Sequence, residues 1–275
     1  MQIFICMVVN IICSYNEIRY IPKVVKYYQG QGIHVYVADN RSSDGTWEWL
    51  NDNNVSCQQF DTNGCFDLVK QQKVRLRLIE KFPNAEWIIY GDADEFIVSN
   101  SPLLEIFDNI KQKNPEANLL RMPSLNLKNT GESLKKDLTQ NYFYYEERKF
   151  SSEIIRVHKN LNGVRYGAEL GSIAGDIITF ADGGEVKDKV WSTRDVVYDV
   201  NDAVLLNYGD TKTAKHRTDL LKRRQKAWDR DLLPKNFGSH LVRGKQTNWK
   251  WNKEDLVDIR THELFDCINK NIINL

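Results

Sequence analysis

Three carboxylates follow a short apolar run near residue 90. The run Trp87–Tyr90 has the composition of a strand buried on both faces, and the carboxylates come just after it: Asp92, Asp94 and Glu95. Alternation along an extended segment points Asp92 and Asp94 to one side and Ala93 to the other. Like charges this close destabilise one another, and a hard divalent cation such as Mg²⁺ or Mn²⁺ relieves the repulsion by taking oxygen ligands from carboxylates and substrate phosphates. The pattern therefore predicts a metal site, with a solvated acidic loop as the alternative.

Two more polar clusters stand at the ends of predicted strands. The first, Ser14–Glu17, follows the predicted strand Met7–Cys13. The second, Asp39–Asp44, follows the predicted strand Ile33–Ala38. The stretch Tyr20–Gln29 between them is a predicted helix, which makes the two strands parallel. Ligands in such sheets sit beyond the carboxyl ends of the strands, so the three polar clusters together predict one shared site.

The rest of the chain continues the alternation and then becomes less regular. Further helices are predicted at Thr46–Asn51, Phe66–Phe82, Pro102–Gln112 and Thr213–Asp231. Further strands are predicted at Val55–Phe60 and Asn118–Leu127, with antiparallel strands within Tyr142–Arg156. These elements predict an α/β fold, with a mostly parallel sheet, helices on both faces and a smaller antiparallel part in the second half. Because no linker interrupts the chain, we expect a single domain over residues 1–275, with residues 1–100 as one half and 101–275 as the other.

Composition and charge argue against several classes of protein. The 275 residues are 41% apolar and 27% charged, and 38 basic residues nearly balance 37 acidic ones. This balance provides no general attraction to nucleic acid or to a membrane surface, so nucleic acid is not an expected partner. The five cysteines are scattered without the spacing of a metal site. Such a set fits free thiols in a reducing compartment better than a disulfide framework.

The apolar opening of the chain does not have the features of a signal peptide. No positive residue precedes the run that ends at Cys13, and no small-residue cleavage site follows it. No later stretch approaches the ~20 apolar residues that a membrane span needs. We therefore expect a cytoplasmic protein, with peripheral association with a membrane left open.

Three ordered motifs resemble those of the family-2-like glycosyltransferases, and in particular the subgroup whose strand-end motif reads Asp-x-Asp-Glu-Phe. The motifs are Ile11–Glu17, Tyr36–Thr46 and Trp87–Phe96, and they cover roughly the first 100 residues. The resemblance implies a glycosyltransferase-A fold, which is Rossmann-like, and transfer of a sugar from a nucleotide-sugar donor. It favours a uridine-diphosphate sugar as the donor, inversion at the sugar, a carbohydrate or lipid-linked acceptor, and Mn²⁺ or Mg²⁺ as the cofactor.

The resemblance also implies roles for individual residues at the donor site. The donor would be bound by Ser14, Tyr15, Asn16, Glu17, Asp39, Arg41, Asp92 and Ala93. Within this set, Ser14–Glu17 would line the nucleoside pocket and Asp39 would hydrogen-bond the base or the ribose. Asp92 and Asp94 would hold the metal and the diphosphate. Glu95 would support the motif rather than bind the metal directly.

The resemblance also makes residues 1–100 the nucleotide-sugar-binding half and residues 101–275, with their C-terminal helices, the acceptor-binding half. The catalytic base and further metal ligands are expected in this second half. Transfer to a hydroxyl group needs a carboxylate that takes its proton, and Glu169 is the first candidate and Asp176 the second. Family members often add a downstream histidine to the metal shell, for which His216 and His240 are the candidates. Where relatives carry a histidine next to a tyrosine, this chain has Asn207. A metal ligand at that position is therefore not expected.

A basic cluster lies in the predicted helix of residues 213–231. Its charges could contact the diphosphate or an acidic acceptor, with Lys215 and Arg217 best placed for that contact. A solvated helix face is the alternative, because runs of charge on a helix usually face water.

Two rival classes of site fail on the residues that follow Asp94. A phosphatase of the haloacid-dehalogenase type needs threonine or valine where Phe96 stands, and a calcium loop needs glycine where Ile97 stands. The alternative that stays open is a protein of the same fold that binds a sugar nucleotide or a glycan without turnover, since fold alone does not decide function.

Overall fold

The computed structural model describes most of the first half of the chain and separate stretches of the second. The described residues are 6–129, 143–146, 153–160, 168–173, 176–180, 186–188, 196–208, 214–230, 257–258 and 266. The helices are α1 (Ile21–Gly30), α2 (Thr46–Asp52), α3 (Leu68–Ile79), α4 (Leu103–Lys113) and α5 (Ala214–Trp228). The first strands are β1 (Val8–Ser14), β2 (His34–Asp39), β3 (Ser56–Gln59), β4 (Trp87–Gly91) and β5 (Glu95–Ser99). The later strands are β6 (Leu119–Asn129), β7 (Phe143–Glu146), β8 (Glu153–Lys159), β9 (Ala168–Ile173), β10 (Asp176–Phe180), β11 (Val186–Asp188), β12 (Val197–Asp199), β13 (Ala203–Asn207) and β14 (Val257–Asp258).

Strands of the first half form a parallel sheet with the order β3-β2-β1-β4. Ile11 of the central strand β1 pairs with Tyr36 of β2 on one side and with Tyr90 of β4 on the other. Both β1 and β4 are buried along almost their whole length. Burial on two faces explains why both strands are continuous apolar runs in the sequence rather than alternating ones.

Helices cover both faces of this sheet. On one face, Ile12 of β1 belongs to a hydrophobic core with Val24 of α1 and Phe107 of α4. Its neighbour Ile11 points to the opposite face and belongs to a second core with Leu78 of α3. The predicted α/β class, a parallel sheet with helices on both faces, is confirmed.

The second half adds the predicted antiparallel part. β8 pairs with β4 and with β6, and β7 pairs with β6 and β14, all antiparallel. β12 and β13 run parallel to β6, and β13 also pairs antiparallel with β5. β9, β10 and β11 form a separate antiparallel sheet. The pairing of β13 with β5 ties the second half to the end of the first.

Predicted and observed boundaries differ by a few residues at most in the first half. The helix predicted over Tyr20–Gln29 is α1, and Gly32, just beyond it, adopts a φ of 76°. This left-handed conformation is one that glycine takes without strain. Among the strands that were not predicted are β5, directly after the carboxylates, and β13, far along the chain. The stretch of residues 163–180, for which no element was predicted, contains β9 and β10.

Four of the five cysteines lie in the described part of the chain. Cys6, Cys13, Cys57 and Cys65 form no disulfide bond with one another. Burial raises the pKa of the Cys57 thiol, and the nearby Asp39 raises it further, which keeps the sulfur protonated and unreactive. No helix in the described part of the chain is long and apolar enough to cross a membrane.

The buried imidazole of His158 on β8 makes the stability of the fold depend on pH. Its ring centroid lies 4.7 Å from that of Tyr90, and its Nδ1 lies 3.1 Å from the carbonyl oxygen of Lys159. Burial lowers the pKa of His158 from 6.5 to about 4, so the unfolded chain binds more protons than the folded one between these values. The stabilisation is complete above pH 6.5 and is lost as the pH falls towards 4.

Because of His158, we expect the free energy of unfolding to fall by about 3 kcal/mol when the pH is lowered from 7 to 4. Urea unfolding of the wild type and of His158→Phe, measured at a series of pH values, gives the difference. Phenylalanine keeps the ring contact with Tyr90 and cannot titrate, so the variant should lose less stability on acidification. Equal pH dependence in the two proteins would contradict the assignment to His158.

Candidate functional site

The carboxyl ends of β1, β2 and β4 lie side by side at one edge of the sheet. β1, β2 and β3 follow one another to one side, whereas β4 lies on the other side of β1, so the strand order reverses between β1 and β4. At the end of β1, Ser14 pairs with Asp39, the last residue of β2. Gly91, the last residue of β4, pairs with Ile12. Open α/β sheets bind ligands in the crevice outside such a reversal, which makes this edge the candidate site.

The turn after β1 is bonded to the turn after β2 through side chains. Three consecutive N–H groups of the first turn donate hydrogen bonds to side-chain oxygens of the second. The pairs are Asn16 to Ser42 Oγ at 2.8 Å, Glu17 to Thr46 Oγ1 at 3.2 Å and Ile18 to Asp44 Oδ2 at 3.0 Å. Asn16 has a φ of 55°, and its Oδ1 accepts a hydrogen bond from the N–H of Ser43 at 2.7 Å. Because these amides bond within the protein, a nucleotide would meet the side chains of the first turn rather than its N–H groups.

Asp39 links the turn after β1 to the turn after β2 through hydrogen bonds to its carboxylate. Its carboxylate is fully buried. Oδ1 accepts hydrogen bonds from the hydroxyls of Ser14, at 3.2 Å, and of Ser42, and Oδ2 accepts one from the N–H of Ser42 at 2.9 Å. A buried carboxylate requires donors of this kind. A contact between Asp39 and the base or ribose of a nucleotide donor stays a prediction.

The turn after β2 is also joined to the segment that follows β3. Asn40 and Thr62 are both buried, and the Asn40 side chain donates to Thr62 Oγ1 at 2.9 Å and accepts from the Thr62 N–H at 3.0 Å. Next to them, Arg41 has a φ of 51° and its Nε lies 3.2 Å from Oδ2 of Asp61. Arg41 is largely exposed in this ion pair, which therefore contributes little to stability. Arg41 remains a predicted donor contact at the rim of the site.

Arg75 of α3 fixes the first carboxylate of the Asp-x-Asp motif. Its Nη2 donates to Asp92 Oδ1 at 3.0 Å and to the carbonyl oxygen of Gly91 at 3.3 Å. The Arg75 side chain is only 6% exposed, whereas that of Asp92 is 47% exposed. Arg75 was not predicted from the sequence. A charged residue beside Val74, on the apolar face of an amphipathic helix, was the signal that could have found it.

Strand β13 and the residue that follows it, Tyr208, fix the rest of the motif. The N–H of Tyr208 donates to the carbonyl oxygen of Asp94 at 2.8 Å. Asn207 pairs in register with Glu95, and its Nδ2 donates to Glu95 Oε1 at 3.2 Å. Glu95 is buried, as is Asp94. Asn207 thus contacts Glu95, and a supporting role for Glu95 requires a contact of this kind.

Gly91 makes room for a buried amide beneath the motif. Asn10 of β1 is fully buried, and neither Oδ1 nor Nδ2 of its side chain has a hydrogen-bond partner among the described residues. A methyl group added at Gly91 would lie 3.0 Å from Nδ2 of Asn10 and still closer to Oδ1. The close approach of Asn10 therefore requires glycine at the residue before Asp92.

Helix α5 packs against the turns at the carboxyl ends of β1 and β3. The guanidinium carbon of Arg223 lies 3.5 Å from the ring centroid of Tyr15, and its Nη2 donates to the carbonyl oxygen of Cys65 at 3.0 Å. The N–H of Phe66 donates to the carbonyl oxygen of Arg223 at 3.2 Å. Burial lowers the pKa of Arg223, partly offset by Tyr15, Cys65 and Glu17. Tyr15, predicted to line the nucleoside pocket, therefore faces a helix of the second half.

Several predicted site residues have side chains outside the described part of the chain. The candidate bases Glu169 and Asp176 belong to adjacent strands of the small sheet, β9 and β10. His216 lies at the start of α5 together with Lys215 and Arg217. His240 lies outside the described residues altogether. The roles of these residues stay predictions.

The motif carboxylates suit a metal that arrives together with a phosphorylated substrate. In the described residues, no three His, Cys, Asp or Glu side chains come together as a metal-binding set. Asp92 and Asp94 nevertheless supply carboxylate oxygens, which Mg²⁺ and Mn²⁺ prefer. Mg²⁺ commonly takes only one or two carboxylates and completes its shell with waters and substrate phosphates. The donor set of Asp92 and Asp94 fits that mode of binding.

Removing Asp92 from its ion pair with Arg75 should destabilise the fold more than removing Arg75 from it. Asp92→Ala leaves a buried guanidinium without its carboxylate, and we expect a loss of about 1–2 kcal/mol, below the range for fully buried pairs because Asp92 is half exposed. Arg75→Met leaves a carboxylate that water can reach, so we expect a loss of less than about 1 kcal/mol. Urea unfolding of the two variants measures both values. A larger loss in Arg75→Met than in Asp92→Ala would contradict this account.

Comparison of the sequence with models of protein families and with curated proteins gives no match. Among solved structures, the chain is similar to glucosyl-3-phosphoglycerate synthase from Mycobacterium tuberculosis in complex with Mn²⁺ and uridine-diphosphate-glucose. That similarity has 11% identity and a TM-score of 0.40 over 80% of this chain and 79% of the other. A complex of the same synthase with Mn²⁺, uridine diphosphate and glucosyl-3-phosphoglycerate aligns with 12% identity and a TM-score of 0.32 over 43% of this chain and 44% of the other. These values assign neither a family nor an activity to this chain.

Proposed function

We propose that the protein is a metal-dependent glycosyltransferase that moves a sugar from a nucleotide-sugar donor, a UDP-sugar, to a hydroxyl group of a glycan or other acceptor, with inversion. One observation carries the proposal. Asp92 and Asp94 follow β4 at the point where the strand order reverses, beside the bonded turns that contain Ser14–Glu17 and Asp39. This crevice is where an open α/β sheet binds a nucleotide, and carboxylates there suit a cation bound to its diphosphate.

On the donor side, hydrogen bonds hold the described residues of the site in fixed positions. The turn after β1 is locked by three hydrogen bonds from its amides, and Asp94 and Glu95 are bonded to β13. Groups held in this way need no reorganisation when the substrate binds. Asp92 and Asp94 would hold the cation with the diphosphate. When bound, the cation supplies a Lewis acid that stabilises the negative charge developing on the leaving diphosphate.

On the acceptor side, the reaction needs a base. The bond between the anomeric carbon and the diphosphate oxygen breaks as a bond from that carbon to the acceptor oxygen forms. The acceptor hydroxyl loses its proton to a carboxylate, for which Glu169 is the first candidate and Asp176 the second. Both belong to the small antiparallel sheet of the second half.

A donor-hydrolysis screen tests the proposal. Purified protein is incubated with a panel of nucleotide sugars and Mn²⁺ or Mg²⁺, with and without a mixture of candidate acceptors, and the released nucleoside diphosphate is measured. We expect release from one donor, dependent on the metal and suppressed by a chelator. Release that continues in the presence of the chelator would contradict a metal-dependent mechanism.

The alternative is a protein that binds a sugar nucleotide or glycan at the same edge without turnover. Calorimetry with UDP in the presence and absence of Mn²⁺ separates the outcomes. Metal-dependent binding with no turnover of any donor would favour the alternative. If neither binding nor turnover occurs, the prediction of a nucleotide site at this edge is itself wrong.

A further inference from the structure

Two consecutive arginines of α5 lie against the segment that follows β3. Arg223 stacks on Tyr15 and donates to Cys65, as described above. The guanidinium carbon of Arg224 lies 5.0 Å from the ring centroid of Phe66. Both side chains are partly buried, and the Nε of each is enclosed without a hydrogen-bond partner among the described residues. We call these two residues the α5 arginine pair.

The α5 arginine pair carries more positive charge than its described surroundings balance. Burial lowers the pKa of Arg224 to about 10, and no acidic group of the described residues acts against that effect. Arg223 has Glu17 nearby, which offsets part of its own burial. Neither arginine forms an ion pair with a carboxylate in the described part of the chain. Removing a guanidinium from water is costly unless an anion compensates it.

Neighbouring basic residues are placed differently. Lys226 donates to the carbonyl oxygen of Asn63 at 2.9 Å and is exposed, and Arg230 lies with Nη1 at 3.4 Å from Sγ of Cys65. Lys222 is exposed as well. The solvated helix face considered in the sequence analysis therefore fits Lys222 and Lys226 but does not fit the α5 arginine pair.

We propose that the α5 arginine pair is a phosphate-binding site. The two guanidinium groups reach the consecutive residues Cys65 and Phe66, and together they match the charge of a phosphate dianion. The planar fork of arginine donates paired hydrogen bonds to phosphate oxygens. The site lies beside Tyr15 and Phe66, next to the turns at the carboxyl ends of β1 and β3. It binds a phosphate group, and no sugar transfer is needed for that binding, so the inference stands apart from the proposed function.

The test uses inorganic pyrophosphate and inorganic phosphate as probes in metal-free buffer at constant ionic strength. Isothermal titration calorimetry compares the wild type, Arg224→Met and a matched control, Lys222→Met, which removes an exposed charge from the same helix. We expect Arg224→Met to bind the probes roughly tenfold more weakly or worse, while Lys222→Met binds like the wild type. Binding that is equal in all three proteins, or absent from the wild type, would overturn the proposal.

Thermal unfolding without phosphate distinguishes a binding role from a structural one. Methionine keeps an apolar stem against Phe66 and removes the uncompensated charge, so Arg224→Met should melt no lower than the wild type. A clear drop in the melting temperature together with unchanged probe binding would show that Arg224 only holds the helix in place, against the proposal.

UDP binding shows which molecule supplies the phosphate group. If Arg224→Met weakens UDP binding as much as pyrophosphate binding, the occupant is the diphosphate of the nucleotide. If UDP binding is unchanged while inorganic phosphate binding is lost, the occupant is a separate phosphate, such as one carried by an acceptor. Both results support the site, and the absence of sugar transfer would leave either of them unaffected.

Discussion

Replacing Asp94 by asparagine should lower the turnover of the donor about 10²- to 10³-fold, the size of effect seen when one group that stabilises a developing negative charge is removed. Asparagine has nearly the shape of aspartate but carries no charge and is a poorer ligand for Mg²⁺ or Mn²⁺. The hydrogen bond to Asp94 from β13 uses its backbone carbonyl oxygen and survives the substitution. The variant should therefore stay folded and lose metal-dependent nucleotide binding together with activity.

The matched control for this experiment is Asp202→Asn. Asp202 is an exposed carboxylate in the turn before β13, so the substitution removes the same charge away from the candidate site. Steady-state kinetics and calorimetry with UDP and Mn²⁺ measure both variants. If Asp94→Asn retained metal-dependent nucleotide binding at the strength of the control, Asp94 would not be a metal ligand.

Replacing Gly91 by alanine should destabilise the fold by about 2–3 kcal/mol, the upper part of the range for forcing extra atoms into a packed core. The added methyl group meets the amide of Asn10, which is fully buried and cannot swing into solvent. Asn10→Ala removes the obstacle, so the double variant should recover most of the loss that Gly91→Ala causes alone. Urea unfolding of the two single variants and the double variant measures this coupling as a double-mutant cycle.

Gly30→Ala provides the comparison for the effect of a methyl group as such. Gly30 ends α1, its φ is not positive, and a methyl group there meets no atom within 4 Å. Alanine at that position should change stability by less than about 1 kcal/mol, in the stabilising direction. If the losses in free energy of unfolding of Gly91→Ala and Asn10→Ala simply add in the double variant, the two residues do not compete for the same space.

The parallel sheet and its polar edge could be predicted because their signals are local. Trp87–Tyr90 and Met7–Cys13 are continuous apolar runs, and such runs indicate strands buried on both sides. Each ends in polar residues, and the helix between the first two strands fixes their parallel direction. The positions of Ser14, Asp39 and Asp92 at one edge follow from these features.

The remaining contacts of the site could not be predicted because they depend on pairings far apart in the chain. Asn207 and Glu95 are 112 residues apart, and the strand character of β5 and β13 comes from their pairing with each other. Arg223 meets Tyr15 through the packing of α5, which no local pattern reports. The helical pattern of α3 places Arg75 on the apolar face but does not say that its side chain reaches Asp92. These contacts belong to tertiary packing, which overrides local preference.

The pairing of β13 with β5 limits how the protein can be divided. A fragment that stops at residue 100 would keep both turns and the Asp-x-Asp motif, yet the strand that bonds Asp94 and Glu95 would be missing. β5 would then present unpaired backbone groups beside buried side chains such as Phe96, which promotes aggregation. Chimeras that exchange residues 101–275 between proteins of this fold should therefore keep residues 203–208 matched to the host's own Asp-x-Asp strand.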